Sequence, residues 1–133
     1  PGTGAQVITK YRARTHEAML LYWGPDFMDP HSNAKAFAYN ADNSDDAYVS
    51  TTTWRNAWEV PAEMNEATMA ALAEPDAEKR NEMYMELQKQ IQEKAPFVVM
   101  FQAVKQVGMA NKVDGFVNGA TSDFVYYRLV SKN

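Results

Sequence analysis

Apolar residues recur at helical spacing between Asp76 and Lys94, and this is the clearest pattern in the chain. They fall on one stripe of a helix, while charged residues occupy the opposite side; the stripe consists of Met83, Tyr84, Leu87 and Ile91. Asp76 suits the N-cap position, and Pro96 ends the helix because the residue before a proline avoids helical geometry. We therefore predict a helix over residues 76–94 with this stripe turned toward the core.

Three further patterns predict shorter helices. Residues 61–73 begin with Pro61, which is favoured in a first turn, and one side of the helix carries small and apolar groups: Met64, Ala67, Thr68 and Ala71 or Leu72. Residues 32–39 fit a short helix with Ser32 as its N-cap. Residues 5–15 fit an amphipathic helix, and a strand is the alternative because the segment contains Val and Ile.

Apolar runs of strand length predict the strands. Two of them are continuous and suit strands buried on both faces. The strand candidates are residues 18–23, 97–101, 104–110 and 124–130, and residues 113–116 have the sequence of a turn. Helix and strand candidates are mixed along the chain without an internal repeat, so the predicted fold class is α/β with mixed order.

Composition narrows the class of protein. The 133 residues are enough for one domain with a core, and 46% hydrophobic with 23% charged residues is typical of a globular chain. The net charge of −4, without a basic block, argues against nucleic-acid binding. Cysteine is absent, which excludes disulfides and thiolate chemistry, and no apolar run is long enough for a transmembrane helix.

The stretch from Leu21 to Pro30 carries the strongest candidate chemistry. An apolar run ends in Trp23, and two acids, Asp26 and Asp29, follow with an aromatic residue between them. An apolar segment that brings an aromatic ring and a carboxylate to a loop is a common way to build a ligand site. This stretch is therefore the first candidate for ligand binding.

Metal and cofactor sites are not predicted. Residues 40–46 are rich in oxygen ligands, but the loop lacks the Gly and Glu that a calcium-binding EF-hand requires at its sixth and twelfth positions. His16 and His31 are isolated and far apart in sequence. The methionines are interpreted as core residues, since thioethers fill irregular apolar gaps. We expect a solvated loop over residues 40–46.

Four motifs, taken in order, make the chain resemble a known family. They are Asp26-Phe27-Met28-Asp29-Pro30 after Trp23, then Asp76, Arg80, Tyr84, Leu87 and Gln88 in one helix, then Ala95-Pro96 before an apolar run, and finally Val113-Asp114-Gly115-Phe116. In this order the chain resembles the C-terminal part of the solute-binding proteins of bacterial ABC importers, in the oligopeptide-, dipeptide- and nickel-binding branch. The resemblance extends from about residue 5 to residue 130. Residues 54–64 depart from the common pattern, which indicates a subfamily.

The resemblance implies a two-lobed protein that closes on its ligand by a hinge motion. Residues 1–105 would be part of the second, ligand-cleft lobe, and residues 106–133 would cross back and complete the first lobe. The protein would be periplasmic, longer than this chain, and would deliver a small, peptide-like solute to a membrane permease. The acid that matches Asp26 holds the α-ammonium group of the ligand in peptide-binding members.

The candidate site residues have alternative roles. Asp26 would hold a cation in a water-poor cleft, and its alternative is to cap a loop or a helix. Trp23 would either stack on the ligand or pack in the core. Trp54 and Arg55 could together hold a carboxylate or phosphate, and the alternative is an Arg on a surface loop. Asp29 is expected to shape the turn before Pro30 through bonds to backbone amides.

Two other functions remain open. Asp26 and Asp29 could in principle be the paired carboxylates of a hydrolase, but two acids three residues apart on one turn seldom face opposite sides of a bond. A protein-interaction module built on the 76–94 helix would need an exposed apolar stripe in addition to the buried one.

We also expect that the chain alone, with half a cleft, binds ligand weakly and self-associates through uncovered apolar residues.

Overall fold

The computed structural model describes residues 2–121 and 124–133, which are mostly helical, with 45% helix and 5% strand. The chain divides into two compact units. The first comprises the chain up to Tyr22 together with Asp29–Val98, and the second comprises Trp23–Met28 together with Val99–Asn133. The expected mixture of helix and strand is present, but helix dominates. The assignment of residues 1–105 and 106–133 to two lobes stays a prediction.

The first unit is helical. Its α-helices are α1 (Gly4–Arg12), α2 (Pro30–Ala38), α3 (Thr52–Arg55), α4 (Ala62–Ala73) and α5 (Ala77–Lys94), and a short 3-10 helix covers Asp45–Ala47. The predictions for residues 61–73 and 76–94 are confirmed to within one residue at each end. The helical alternative for residues 5–15 is confirmed over the shorter range of α1.

Side chains at the N-caps determine where the helices begin. Asp76 accepts a hydrogen bond of 2.8 Å from the Lys79 amide, which confirms it as the cap of α5. The prediction of Ser32 as the cap of α2 is wrong, since the helix begins two residues earlier and Asp29 caps it. Pro30 explains the shift, because a first-turn proline has the φ of a helix and lacks the N–H that would need a partner.

The core of the first unit lies where α2, α4 and α5 pack together. Its buried members are two alanines of α2, one residue before α4, and residues of α4 and α5: Ala34, Ala38, Val60, Met64, Ala71, Tyr84 and Leu87. Met83 and Ile91 are partly buried against this cluster, so the stripe predicted for α5 is confirmed as core. The alanines of α2 let the helices approach closely, and the buried Thr68 hydroxyl donates to the Ala38 carbonyl at 3.2 Å.

The second unit contains a small antiparallel sheet. Strands β1 (Val113–Asp114) and β2 (Ser131–Lys132) pair Val113 with Lys132 and Asp114 with Ser131. The prediction of a turn over residues 113–116 is wrong for Val113 and Asp114, because these two residues pair as β1 and the turn lies before them, at residues 111–112. Gly115 follows the strand with a φ of +76°. A Cβ at Gly115 would lie 1.9 Å from the Leu129 carbonyl oxygen, so this close approach requires glycine.

The prediction of strands over residues 18–23, 97–101 and 104–110 is wrong. These segments have neither helix nor strand structure, and many of their apolar side chains are exposed, Val99 to 91%. A strand needs a neighbouring backbone for its N–H and C=O groups, and the described residues provide none beside these segments. An apolar run indicates a tendency to form a strand. The backbone hydrogen bonds of a strand also require a second strand beside it.

The prediction of a strand over residues 124–130 is also wrong. The segment contains an isolated bridge between Val125 and Asn118 and a 3-10 helix over Tyr127–Leu129. Short-range bonds satisfy this backbone locally, because the Leu129 amide donates to the Tyr126 carbonyl and the Val130 amide to the Tyr127 carbonyl. The strand begins only at β2.

Candidate functional site

Asp29 and Arg80 form an ion pair between the start of α2 and the beginning of α5. The two residues are 51 apart in sequence, and Arg80 Nη2 lies 2.8 Å from Asp29 Oδ1 and 3.0 Å from Oδ2. The Arg80 side chain is 21% exposed and that of Asp29 is 35% exposed, so solvent screens the pair only in part. Hydrogen bonds between two charged groups are stronger than neutral ones, and this pair therefore ties α2 to α5.

Neighbouring groups hold the Arg80 side chain in one orientation. Its Nε donates to the Ala71 carbonyl in the last turns of α4 at 3.2 Å, and its Nη2 donates to the Tyr84 hydroxyl at 3.3 Å. The guanidinium carbon also lies 4.9 Å from the centre of the Tyr84 ring. A planar guanidinium with these partners on α4 and α5 presents a fixed edge to Asp29.

The Asp29 carboxylate makes two kinds of contact at once. Besides the ion pair, Oδ1 accepts a hydrogen bond of 2.8 Å from the His31 amide and so caps α2. The hydrogen bond from Arg80, followed by that of the His31 amide, lowers the pKa of Asp29 below its usual value of 3.8. The prediction that the Asp29 side chain bonds a nearby backbone amide is confirmed. Its ion pair with Arg80 was not predicted.

His31 lies beside this ion pair. Its ring is half-buried, with its centre 6.3 Å from that of Tyr84, and its Nδ1 is buried without a hydrogen-bond partner among the described residues. Burial lowers the pKa of His31 below 6.5, the charges of Lys35 and Arg80 act in the same direction, and Asp29 opposes them. The folded protein therefore favours the neutral imidazole.

Trp23 and Asp26 both lie in the second unit. Asp26 is exposed and makes no ion pair with any residue in the described ranges. Trp23 is partly exposed, and the aromatic residue after the acid, Phe27, is more exposed still. The side chains of this stretch are thus accessible to solvent, and ligand binding by Trp23 and Asp26 stays a prediction.

Trp54 and Arg55 lie next to each other on α3 in the first unit, and both already have partners. Trp54 is only 6% exposed, and its Nε1 donates to the Ser44 carbonyl at 2.8 Å. Arg55 Nε donates to the Ser50 carbonyl at 3.1 Å, and its guanidinium lies over the Tyr11 ring. These contacts favour a packing role, and ligand binding by this pair stays a prediction.

Arg14 makes contacts with Trp54 and with the loop over residues 40–46 that the sequence did not predict. Its side chain is largely buried, with the guanidinium carbon 4.6 Å from the centre of the Trp54 ring, and it donates to the Asn43 and Ser44 carbonyls. It also pairs with Asp45 at 3.1 Å. Much of the loop over residues 40–46 is exposed, as predicted, but Arg14 anchors it to the segment that follows α1. No local pattern marks a partner about thirty residues away.

Asp29 and Arg80 were also missed as a pair, although a signal for them was present. Both residues belong to the motifs that carry the family resemblance, one before α2 and the other in the predicted 76–94 helix. Two charged residues of opposite sign, each at a regular place in such a motif, are candidates for mutual contact. The structure brings them together within one unit.

A groove of about 790 Å³ runs along α1 and the segment that follows it. Its lining comprises Gly2, Gln6, Val7, Lys10 and residues 15–20. It contains groups of both charge signs, such as Lys10 and Glu17. None of the four predicted site residues lines this groove, so it offers no support for their roles.

The described residues contain no group of three or more His, Asp or Glu side chains that could hold a metal ion. Within the same part of the chain, none of the helices combines the length and apolar character needed to span a bilayer. No known protein family, curated protein or solved structure matches this chain. Inference about function therefore rests on the residues and their geometry.

Proposed function

We propose that this chain is part of the substrate-binding component of a bacterial ABC importer, of the type that binds oligopeptides, dipeptides or nickel. The protein would capture a small, peptide-like solute between two lobes in the periplasm and deliver it to a membrane permease. The observation that carries the proposal is the stretch Trp23–Met28, in which exposed Asp26 lies between two accessible aromatic residues.

The chemistry of this stretch suits a cationic group on an organic ligand. Asp26 has no ion pair with the residues that the structure describes, so its carboxylate is available to a ligand ammonium. Aromatic rings contribute apolar contact area and attract cations through their faces. Closure of a second lobe would remove water and strengthen the attraction between the two charges.

The uncovered apolar segments support the two-lobed part of the proposal. Residues 18–23 and 97–110 are rich in apolar residues and have no strand partner among the described residues. Such segments are typical of strands whose neighbours come from another part of a larger protein. The two-lobed fold, the permease and the periplasmic location all remain part of this proposal.

The two alternative functions have less support. A pair of catalytic carboxylates would need Asp29, but its pKa is lowered and its oxygens contact Arg80 and the start of α2. A helix-based interaction module would need a second apolar stripe on α5, and the predicted stripe contributes its buried members, Tyr84 and Leu87, to the core. Neither observation favours a second function.

Native mass spectrometry of the full-length protein with a mixed peptide library tests the proposal. We expect one bound peptide per protein and an unchanged library after prolonged incubation. Hydrolysis of any peptide would replace the binding function by an enzymatic one. Absence of a bound peptide across the library would contradict the peptide-like ligand class.

A further inference from the structure

We propose that Asn118 is a site of spontaneous deamidation, and that backbone pairing beside it suppresses the reaction in the folded chain. Of the asparagines in the sequence, Asn118 is the only one that is followed by glycine. The residue is exposed, so water and hydroxide can reach its side chain. The residues involved all belong to the second unit, and the modification does not depend on the function proposed above.

The reaction needs no partner other than hydroxide and water. Hydroxide removes the proton from the Gly119 amide, and the amide nitrogen attacks Cγ of Asn118. A bond forms between these two atoms, the Cγ–Nδ2 bond breaks, and Nδ2 leaves with its electron pair, takes a proton from water and becomes ammonia. Water then opens the cyclic imide at either carbonyl carbon, which gives aspartate or isoaspartate. Glycine favours the attack because it places no side chain beside the nitrogen.

Backbone pairing restrains the attacking nitrogen in the folded chain. The Gly119 amide donates to the Phe124 carbonyl at 2.7 Å, and the Tyr126 amide donates to the Val117 carbonyl at 3.2 Å. These two hydrogen bonds flank the isolated bridge at Asn118, and we call them the Asn118 pairing. An amide in a short hydrogen bond retains its proton, and its nitrogen cannot turn toward Cγ of Asn118. Deamidation therefore requires that the pairing opens first.

The fold requires glycine at the reactive position. A Cβ at Gly119 would overlap the ring of Phe124, so a larger residue does not fit there. The contact that requires glycine thus leaves the reactive Asn-Gly sequence in place. Isoaspartate would add a methylene group to the main chain, and the Asn118 pairing could not form again in the same register. An opening that is followed by deamidation is therefore irreversible.

Peptide mapping by mass spectrometry measures the reaction in the intact chain, in mildly alkaline buffer with and without denaturing urea. Trypsin releases residues 113–128, in which Asn118 is the only amide side chain. We expect Asn118 to react at least about 10-fold more slowly in the folded chain than in urea, because the reaction requires local opening. Equal rates in buffer and in urea would overturn the suppression by pairing.

Asn111 is the internal control for the reactive sequence. It is exposed in the same unit but is followed by Lys112, whose side chain hinders the attack of the amide nitrogen. In urea, where no fold protects either residue, Asn118 should therefore react much faster than Asn111. Equal rates for the two residues in urea would overturn the assignment of Asn118 as the reactive site.

A pair of variants tests whether the Asn118 pairing causes the suppression. Tyr126→Pro removes the amide that donates to Val117, and the φ of −80° at this position suits proline. Tyr126→Ala is the matched control, because it loses the same ring contacts with Phe124 and Arg128 but keeps the amide. We expect Asn118 to react about 3- to 10-fold faster in Tyr126→Pro than in Tyr126→Ala, with equal helical circular dichroism. Equal rates in the two variants would contradict the role of the pairing. If Tyr126→Pro does not fold, the comparison of wild type in buffer and in urea decides.

Discussion

At the level of single residues, a residue other than glycine adopts the left-handed backbone conformation just after α1 and just after α3. Arg14 has a φ of 56° and Ala57 a φ of 52°. At Ala57 the Trp58 amide donates to the Thr53 carbonyl and the Ala57 amide to the Trp54 carbonyl, the pattern of a Schellman motif. Glycine is the preferred residue there because it has no Cβ, so both positions store backbone strain.

Replacement of Ala57 by glycine should therefore stabilise the protein. We expect the free energy of unfolding to rise by about 0.5–1 kcal/mol, since relief of the left-handed strain exceeds the entropy that glycine adds to the unfolded chain. The matched control is Ala70→Gly on the exposed side of α4, which should lower stability by about 1 kcal/mol. Urea denaturation of both variants measures the effect, and the same sign in both would contradict it.

The charge of His31 should make stability depend on pH between about 7.5 and 5. Burial lowers the pKa of His31 in the folded protein below its ordinary 6.5, so the unfolded chain binds the proton more tightly. The free energy of unfolding should therefore fall as pH drops through 6.5 and toward the lower, folded pKa. Asp29, whose pKa is lowered from 3.8, contributes its stabilisation throughout this interval and loses it only as the pH falls below 3.8 toward the folded pKa.

Urea denaturation at pH 7.5 and pH 5 in wild type and His31→Gln tests this point. The wild type should lose more stability than the variant over this interval, because glutamine does not titrate. Equal losses in the two proteins would show that other groups cause the pH dependence.

At the level of elements, one stripe of buried side chains packs α5 against the core. Leu87 is 2% exposed, while Met85, two residues earlier, is 60% exposed on the same helix. Leu87→Ala should lower the free energy of unfolding by about 2–5 kcal/mol through lost burial and a cavity. Met85→Ala should change it by less than about 0.5 kcal/mol. Similar losses in urea denaturation for the two variants would contradict the orientation of α5.

The helices could be predicted because their signals are local. The stripe of α5, the Asp76 cap and the Pro61 start all lie within a few residues of the structure that they determine. The predicted strands failed for the opposite reason, since residues 18–23 and 97–110 contain no information about a partner backbone. Ser32 was predicted as the cap of α2, and the helix begins earlier because Pro30 suits its first position and Asp29 caps it.

At the level of the whole molecule, the candidate site was predictable only in part. The stretch Trp23–Met28 was identified as a candidate site because Trp23 and Asp26 lie in a short motif. The ion pair between Asp29 and Arg80 was not predicted, because it links residues 51 apart in sequence. The same limit applies to Trp54, whose burial depends on Arg14 and on the loop that contains Ser44. Contacts between residues so far apart in sequence can be identified only when the fold is known.

The molecule as a whole is proposed to bind a peptide-like solute through Asp26, and calorimetric titration of the full-length protein tests this most directly. The ligand is the best-bound library peptide, compared with its N-acetylated form, and Asp46→Ala serves as an exposed acidic control. We expect Asp26→Ala and N-acetylation each to weaken binding about 10- to 100-fold, and together no further, because both remove one ammonium–carboxylate contact. Unchanged affinity in Asp26→Ala would contradict the proposed site.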